Sequence, residues 1–366
     1  MVWHSIEELG DSYAATKRLL LPFSLKRWIV LGIVVFFVSG TTGMNPSAGV
    51  SLPSFEVDRD VSEFPVGEFP EDEWAWNGAE APSIEGIAEG TAGATAIAPI
   101  EALLALAIVG TVVLLGILAL YVAAVMEFVF VRITASESVR IRGFFGESTR
   151  KGLSLLLFQI AIAATILGII LSVFVLTVLT GGLFLVLVVL LSPVLILAVV
   201  ALWLLLRFTI DFVVPVMLVE DVGIVDGWRR FAPAMRDEWQ QYGAYAGVRL
   251  VLGVVASTIT GIGAAAIAVG IGIPFALVGI VGFVLLGAIA PGVGIVFGVG
   301  MVVLFALAVL VGVTVFVLVP IRTYLRYYGL FVLGSITPRF DMVEEIRTVI
   351  ASAESEPSGA EDDPTR

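Results

Sequence analysis

An all-α integral membrane helical bundle is what this sequence predicts, and three observations carry the prediction. Hydrophobic residues fill 59% of 366 positions and charged residues only 14%, with a mean hydropathy of +1.05, outside the range of soluble domains. Residues 153–206 and 250–321 contain no Asp, Glu, Lys or Arg, although about 20 apolar residues suffice for one crossing. Basic residues cluster in alternate segments between the apolar runs, as in multi-pass chains that keep Lys and Arg in the cytoplasm.

Residues 1–27 read as a cytoplasmic amphipathic helix. The SIEE motif at 5–8 fits a capping box, and Ile6, Leu9, Tyr13 and Leu20 recur near helical spacing, which suits a helix lying on the membrane. A polar lead of this length argues against a signal peptide. Apolar runs at 28–44, 100–131, 153–180 and 183–206 then give four spans. The run 250–321 has room for three more at about 20 residues each. Three would put Arg322, Arg326, Arg339 and Arg347 outside, whereas Lys17, Arg18, Lys26, Arg27, Arg132, Arg140 and Arg207 upstream all fall inside. Two spans are therefore expected there, six in total across a membrane domain at 28–334, with both termini cytoplasmic and the cell membrane as the location.

Pro274 and Pro291 bracket residues 275–290, about 24 Å as a helix and short of the ~30 Å hydrocarbon layer. That piece is expected to re-enter from the outward side or to lie at the interface. Gly294 and Gly298 are spaced to let helices approach closely. The outward loop 48–98 holds eleven acids and one Arg, and the acidic tail 335–366 is expected to be largely disordered after 350. With a net charge of -12 and 17 Arg against 3 Lys, the composition suits a high-salt cytoplasm.

Between spans four and five, residues 211–245 predict an inner-face amphipathic hairpin. Ile224, Trp228, Phe231, Met235, Trp239 and Tyr242 share one helical face, and Trp228, Phe231, Trp239 and Tyr242 are expected to anchor it at the membrane interface. Pro233 lacks an N–H and crowds the carbonyl of Arg229, so a kink or break is expected there. Arg229, Arg230, Arg236 and Arg249 have two readings: they lock the hairpin to nearby acids, or they hold an anionic lipid headgroup. Arg207 and Asp211, four residues apart, are expected to form an ion pair. Glu127, within reach of Arg132 or Arg207, belongs either to a structural pair or to an ion path.

Cys is absent and His4 is the single histidine, so Cys/His zinc sites and a Ser-His-Asp triad are excluded unless His4 serves them alone. Walker, HExxH and G-x-S-x-G motifs are missing as well. The sequence implies no enzyme, cofactor, metal or nucleic acid. Its expected partners are membrane lipids and a protein of unknown kind. Two functions fit: a non-catalytic protein that organises lipids or partners through the hairpin, or a transporter or lipid-translocating protein using Gly/Pro-broken helices at 270–300.

The segments KRLLLPFSLKRWIVLGIVVFFVSG from Lys17, MEFVFV from Met126 and DFVVPVMLVEDVGIVDGWRRFAPAMRDEWQQYGAYAGVRLVLG from Asp211 resemble a haloarchaeal family of multi-pass membrane proteins without assigned function. A span ending in Arg-Phe, then Pro-Val and an acidic pair, then Gly-Trp-Arg-Arg, is distantly similar to the membrane domain attached to some glycerophosphoryl diester phosphodiesterases. The likeness implies a six-helix architecture with an inner-face hairpin. It implies no catalysis, because the phosphodiesterase barrel has no counterpart in this chain.

Overall fold

Hydropathy alone leaves open where the helices of this chain touch. A computed structural model describes residues 4–41 and 98–355; the tail beyond them and all but the last residue of the expected acidic loop lie outside. All regular structure among the described residues is helical: α1 (His4–Leu20), α2 (Leu25–Thr41), α3 (Ala98–Ser136), α4 (Ile141–Leu179), α5 (Leu183–Leu190), α6 (Ser192–Phe208), α7 (Val214–Val219), α8 (Ile224–Asp237), α9 (Trp239–Ile289), α10 (Pro291–Val313), α11 (Val319–Ile336) and α12 (Glu344–Ser355). Internal contacts divide the chain into two units, Ser51–Ala119 and the remainder. In the smaller unit the described residues are the first part of α3, whose side chains from 103 to 119 are exposed.

Among the described residues, five helical stretches are long and apolar enough to cross a membrane: Leu103–Ser136, Ile141–Leu179, Ser192–Val219, Trp239–Ile289 and Pro291–Ile336. The sixth expected crossing is α2, whose 17 residues fall below the usual ~20. The expected interruption at Pro274 is absent: residues 275–289 of the bracketed piece are the end of α9, which runs through Pro274 for 51 residues, roughly 76 Å. Proline is tolerated inside long apolar helices because local adjustments absorb the freed carbonyl. The chain breaks instead at Ala290, which is extended at φ -153 and ψ 117 and lets α10 start on Pro291. Pro233 likewise lies within α8, and the helix ends at Glu238.

Within the larger unit, packing is concentrated at one end of the long helices. Leu31, Val34, Val35 and Val38 of α2 pack with Val125, Val129 and Ile133 of α3 and with Val317. A second cluster joins Phe208, Phe212, Phe231, Tyr242, Tyr245, Tyr328 and Phe331; Phe212 stacks on Phe231 at 5.4 Å and Tyr245 on Tyr328 at 5.2 Å. Away from this end the helices expose apolar side chains, such as Leu179, Leu190 and Ile289 at 76%, 75% and 82%. Such surfaces need lipid or another apolar partner. The exception is the pair α9 and α10, where a Cβ on Gly294 would come within 2.7 Å of the Gly287 Cα.

The apolar residues expected to share one face of α1 divide: Leu20 is buried and Leu9 packs against the core, and the rest of the packed face is made of small and polar side chains. Ile6 and Tyr13 are 59% and 65% exposed, while Glu8, Ser12, Ala15 and Thr16 are buried. Small side chains allow close approach, and the Ser12 and Thr16 hydroxyls donate to the carbonyls of Glu8 and Ser12 one turn back. Glu8 then accepts from Arg347 of α12 at 3.1 Å and also from Ser335 of α11, so both terminal helices close on α11.

Candidate functional site

The least expected feature of so apolar a chain is a knot of buried charge where α3, α6, α9 and α11 converge. It is built around two places where a helix widens by one residue into a π turn, Thr209–Val213 and Thr314–Leu318. Each turn runs directly into Val-Pro, at Val214-Pro215 and Val319-Pro320. Proline cannot donate to the carbonyl four residues back and its ring crowds that carbonyl, so a π turn is the local response. The first of these turns carries Asp211.

One oxygen of Asp211 gathers three groups. Arg207 Nε donates to Oδ2 at 2.6 Å, Tyr245 Oη donates to it at 2.7 Å, and Arg249 Nε lies 3.5 Å from it. All three charged side chains are at most 6% exposed. Beside them Arg326 pairs with Glu127, donates through Nη1 to the Ile210 carbonyl at 3.0 Å, and lies over the Phe130 ring at 5.4 Å. Arg322 lines the same small cavity, of about 20 Å³. Among the described residues Arg322 has no hydrogen-bond or ion-pair partner, Arg249 Nε has no hydrogen bond, and Glu127 Oε2 is unpartnered.

Four guanidinium groups, those of Arg207, Arg249 and Arg326 buried and that of Arg322 half-buried, thus face two carboxylates, an excess of two positive charges. Burying one unpaired ion costs several kcal/mol after relaxation, so this excess is the most demanding feature of the molecule. Arg207 precedes Glu220 by 13 positions, and Arg249 follows Trp239, the first residue of α9, by ten. At about 1.5 Å per residue the knot lies roughly 15–20 Å inside the polar end of the bundle, with the aromatic cluster between.

The structure therefore separates residues that the sequence grouped. Arg249 belongs to the buried knot, whereas Arg229, Arg230 and Arg236 are exposed on α8. Arg230 pairs with Glu220, which also holds Arg339 at 2.5 Å, and Arg229 pairs with Asp226 at 3.2 Å. Phe231 and Tyr242 are buried in protein, Trp228 is half-buried and donates to Thr209 Oγ1 at 3.1 Å, and Trp239 is 66% exposed. Glu127 pairs with Arg326, and Arg132 with Glu147. Lys151 reaches Asp221 at 2.7 Å; this hydrogen bond and the ammonium charge hold the Asp221 carboxyl below its ordinary range.

Sequence reading missed Arg322, Arg326 and Tyr245 as members of the knot. Their signal was present: Arg322 and Arg326 are four apart, as are Arg207 and Asp211, Tyr245 and Arg249, so each pair shares a helix face. Counting the arginines as charges outside the membrane concealed it.

The sequence pattern of a family described as "Family of unknown function (DUF7544)" matches residues 3–343, and the chain belongs to that family. No curated protein and no solved structure matches it.

Proposed function

We propose that this member of the DUF7544 family is a non-catalytic multi-pass protein of the cell membrane that organises anionic lipids at the inner leaflet. In this reading the chain crosses six times, with α2 as the shortest crossing and both termini cytoplasmic. The acidic, Arg-rich composition supports a haloarchaeal setting, and the hairpin after the fourth span supports an architecture shared with phosphodiesterase membrane domains. One observation carries the function: α8 buries Phe231 and leaves Arg229, Arg230 and Arg236 exposed, the first two in surface pairs with Asp226 and Glu220 and Arg236 without an ion pair among the described residues. Guanidinium groups pair bidentately with phosphate, and basic residues at an anionic surface contribute about 1 kcal/mol each.

The test is the lipid retained by full-length protein purified in mild detergent. Changing Arg229, Arg230 and Arg236 together to Gln is expected to reduce the enrichment of anionic over neutral lipid, with the fold intact by thermal denaturation. Unchanged enrichment would overturn the reading.

A second reading, lipid translocation, is favoured by an apolar groove of about 790 Å³ between α9 and α10, lined by Gly272, Phe275, Phe283, Gly298 and Phe305. Its width suits an acyl chain. Transfer of fluorescent lipid between leaflets of proteoliposomes would support it, and transfer equal to that of protein-free vesicles would exclude it.

A further inference from the structure

The arginine knot has more positive charge than its own carboxylates offset, and we infer that its cavity is a binding site for one small inorganic anion, of the size of chloride, held between Arg249 and Arg322. Three observations converge on this site. Arg249 is 4% exposed, and among the described residues its Nε makes an ion pair with Asp211 at 3.5 Å but no hydrogen bond, so the donating capacity of this buried guanidinium is not used up. Arg322 faces the same cavity without a protein partner among the described residues. Asp211 Oδ2 already accepts from Arg207 and Tyr245, so Arg249 meets it only at the longer distance of 3.5 Å.

Charge and size select the ligand. A water molecule supplies lone pairs but leaves both excess charges uncompensated, whereas an anion offsets one of them directly. A cavity of about 20 Å³ holds little more than one water-sized body, which accommodates a monatomic anion and excludes a phosphate group with its four oxygens. Val38, Phe130 and Ile210 supply apolar walls, suited to a halide that sheds water readily. Glu127 also lines the cavity, with one oxygen engaged by Arg326. Its other oxygen has no hydrogen bond among the described residues, so the anion is held by Arg249 and Arg322 against the repulsion of this carboxylate. This site is separate from the exposed arginines of α8, and either assignment can fail alone.

The experiment is equilibrium binding of radioactive chloride to the full-length protein in detergent, with ionic strength held constant by gluconate. Saturable binding near one ion per chain is expected for the wild type and for the exposed variant Arg142→Gln. Arg322→Gln and Arg249→Gln are expected to weaken binding at least about tenfold, and Arg322→Lys, which keeps the charge, to retain most of it. Should Arg249→Gln fail to fold, Arg322→Gln removes a side chain with no hydrogen-bond or ion-pair partner among the described residues and still decides the matter. Absence of chloride binding in the wild type, or equal binding in wild type and Arg322→Gln, would overturn the assignment. So would a phosphate-bearing lipid, detected by native mass spectrometry, that is lost in Arg322→Gln while chloride binding is absent, since the cavity would then be a headgroup site.

Discussion

Asp211 is the residue on which the buried charges depend, since Arg207, Arg249 and Tyr245 all meet its Oδ2. Asp211→Asn preserves shape but removes the counter-charge, leaving buried guanidinium groups uncompensated. The expected loss is about 3–5 kcal/mol of stability, read as a lowered melting temperature of the detergent-purified protein. Asp226→Asn breaks a pair whose side chains are 57% and 76% exposed and is expected to cost under about 1 kcal/mol. Equal losses in the two variants would contradict the account. Asp221 gives a pH prediction. Its carboxyl is held below the ordinary range by the hydrogen bond and charge of Lys151. Its contribution is therefore present above the unfolded value and is lost as pH falls through the lower, folded one. In Lys151→Gln the Asp221 titration, followed by carboxyl NMR, is expected to move upward; an unmoved titration would remove Lys151 as the cause.

At the scale of elements, the helix ends were mostly legible and the helix faces were not. The Gly181–Gly182 turn, with φ of +58° and +93°, separates the two apolar runs where the composition places the break, because only glycine adopts such angles without strain. The π turns were hidden because a Val-Pro step after an apolar run reads equally as a kink, a helix start or a tolerated proline. In α1 the hydrophobic spacing located only part of the packed face, Leu9 and Leu20, because small polar residues that satisfy themselves on the backbone pack as closely as apolar ones. Helix approach makes its own prediction. A Cβ at Gly152 would lie 2.4 Å from Val125 Cγ2 and 2.9 Å from Val125 Cα, so Gly152→Leu must push α4 away from α3. Overpacking of this kind costs roughly 1–3 kcal/mol, to be measured by thermal denaturation against Gly146→Leu, where nothing lies within 4 Å. Equal stability of the two variants would show that α3 and α4 do not meet at Gly152.

For the whole molecule, composition made a multi-pass helical protein legible, because apolar length is a property of single segments. Membership of the charge knot was legible only in part: spacing by four marks the pairs Arg207 and Asp211, Tyr245 and Arg249, and Arg322 and Arg326, but which faces of four helices converge is a relation that no single segment contains. The central claim is that the charged, closely packed end of the bundle and its hairpin face the cytoplasm while the long apolar helices cross the bilayer. The absence of cysteine makes every introduced thiol unique in the chain. The direct measurement is labelling of Arg236→Cys and Asp72→Cys in intact cells by a membrane-impermeant maleimide, before and after permeabilisation. The account predicts immediate labelling at position 72 and labelling at position 236 only after permeabilisation. Labelling of Arg236→Cys in intact cells would contradict it.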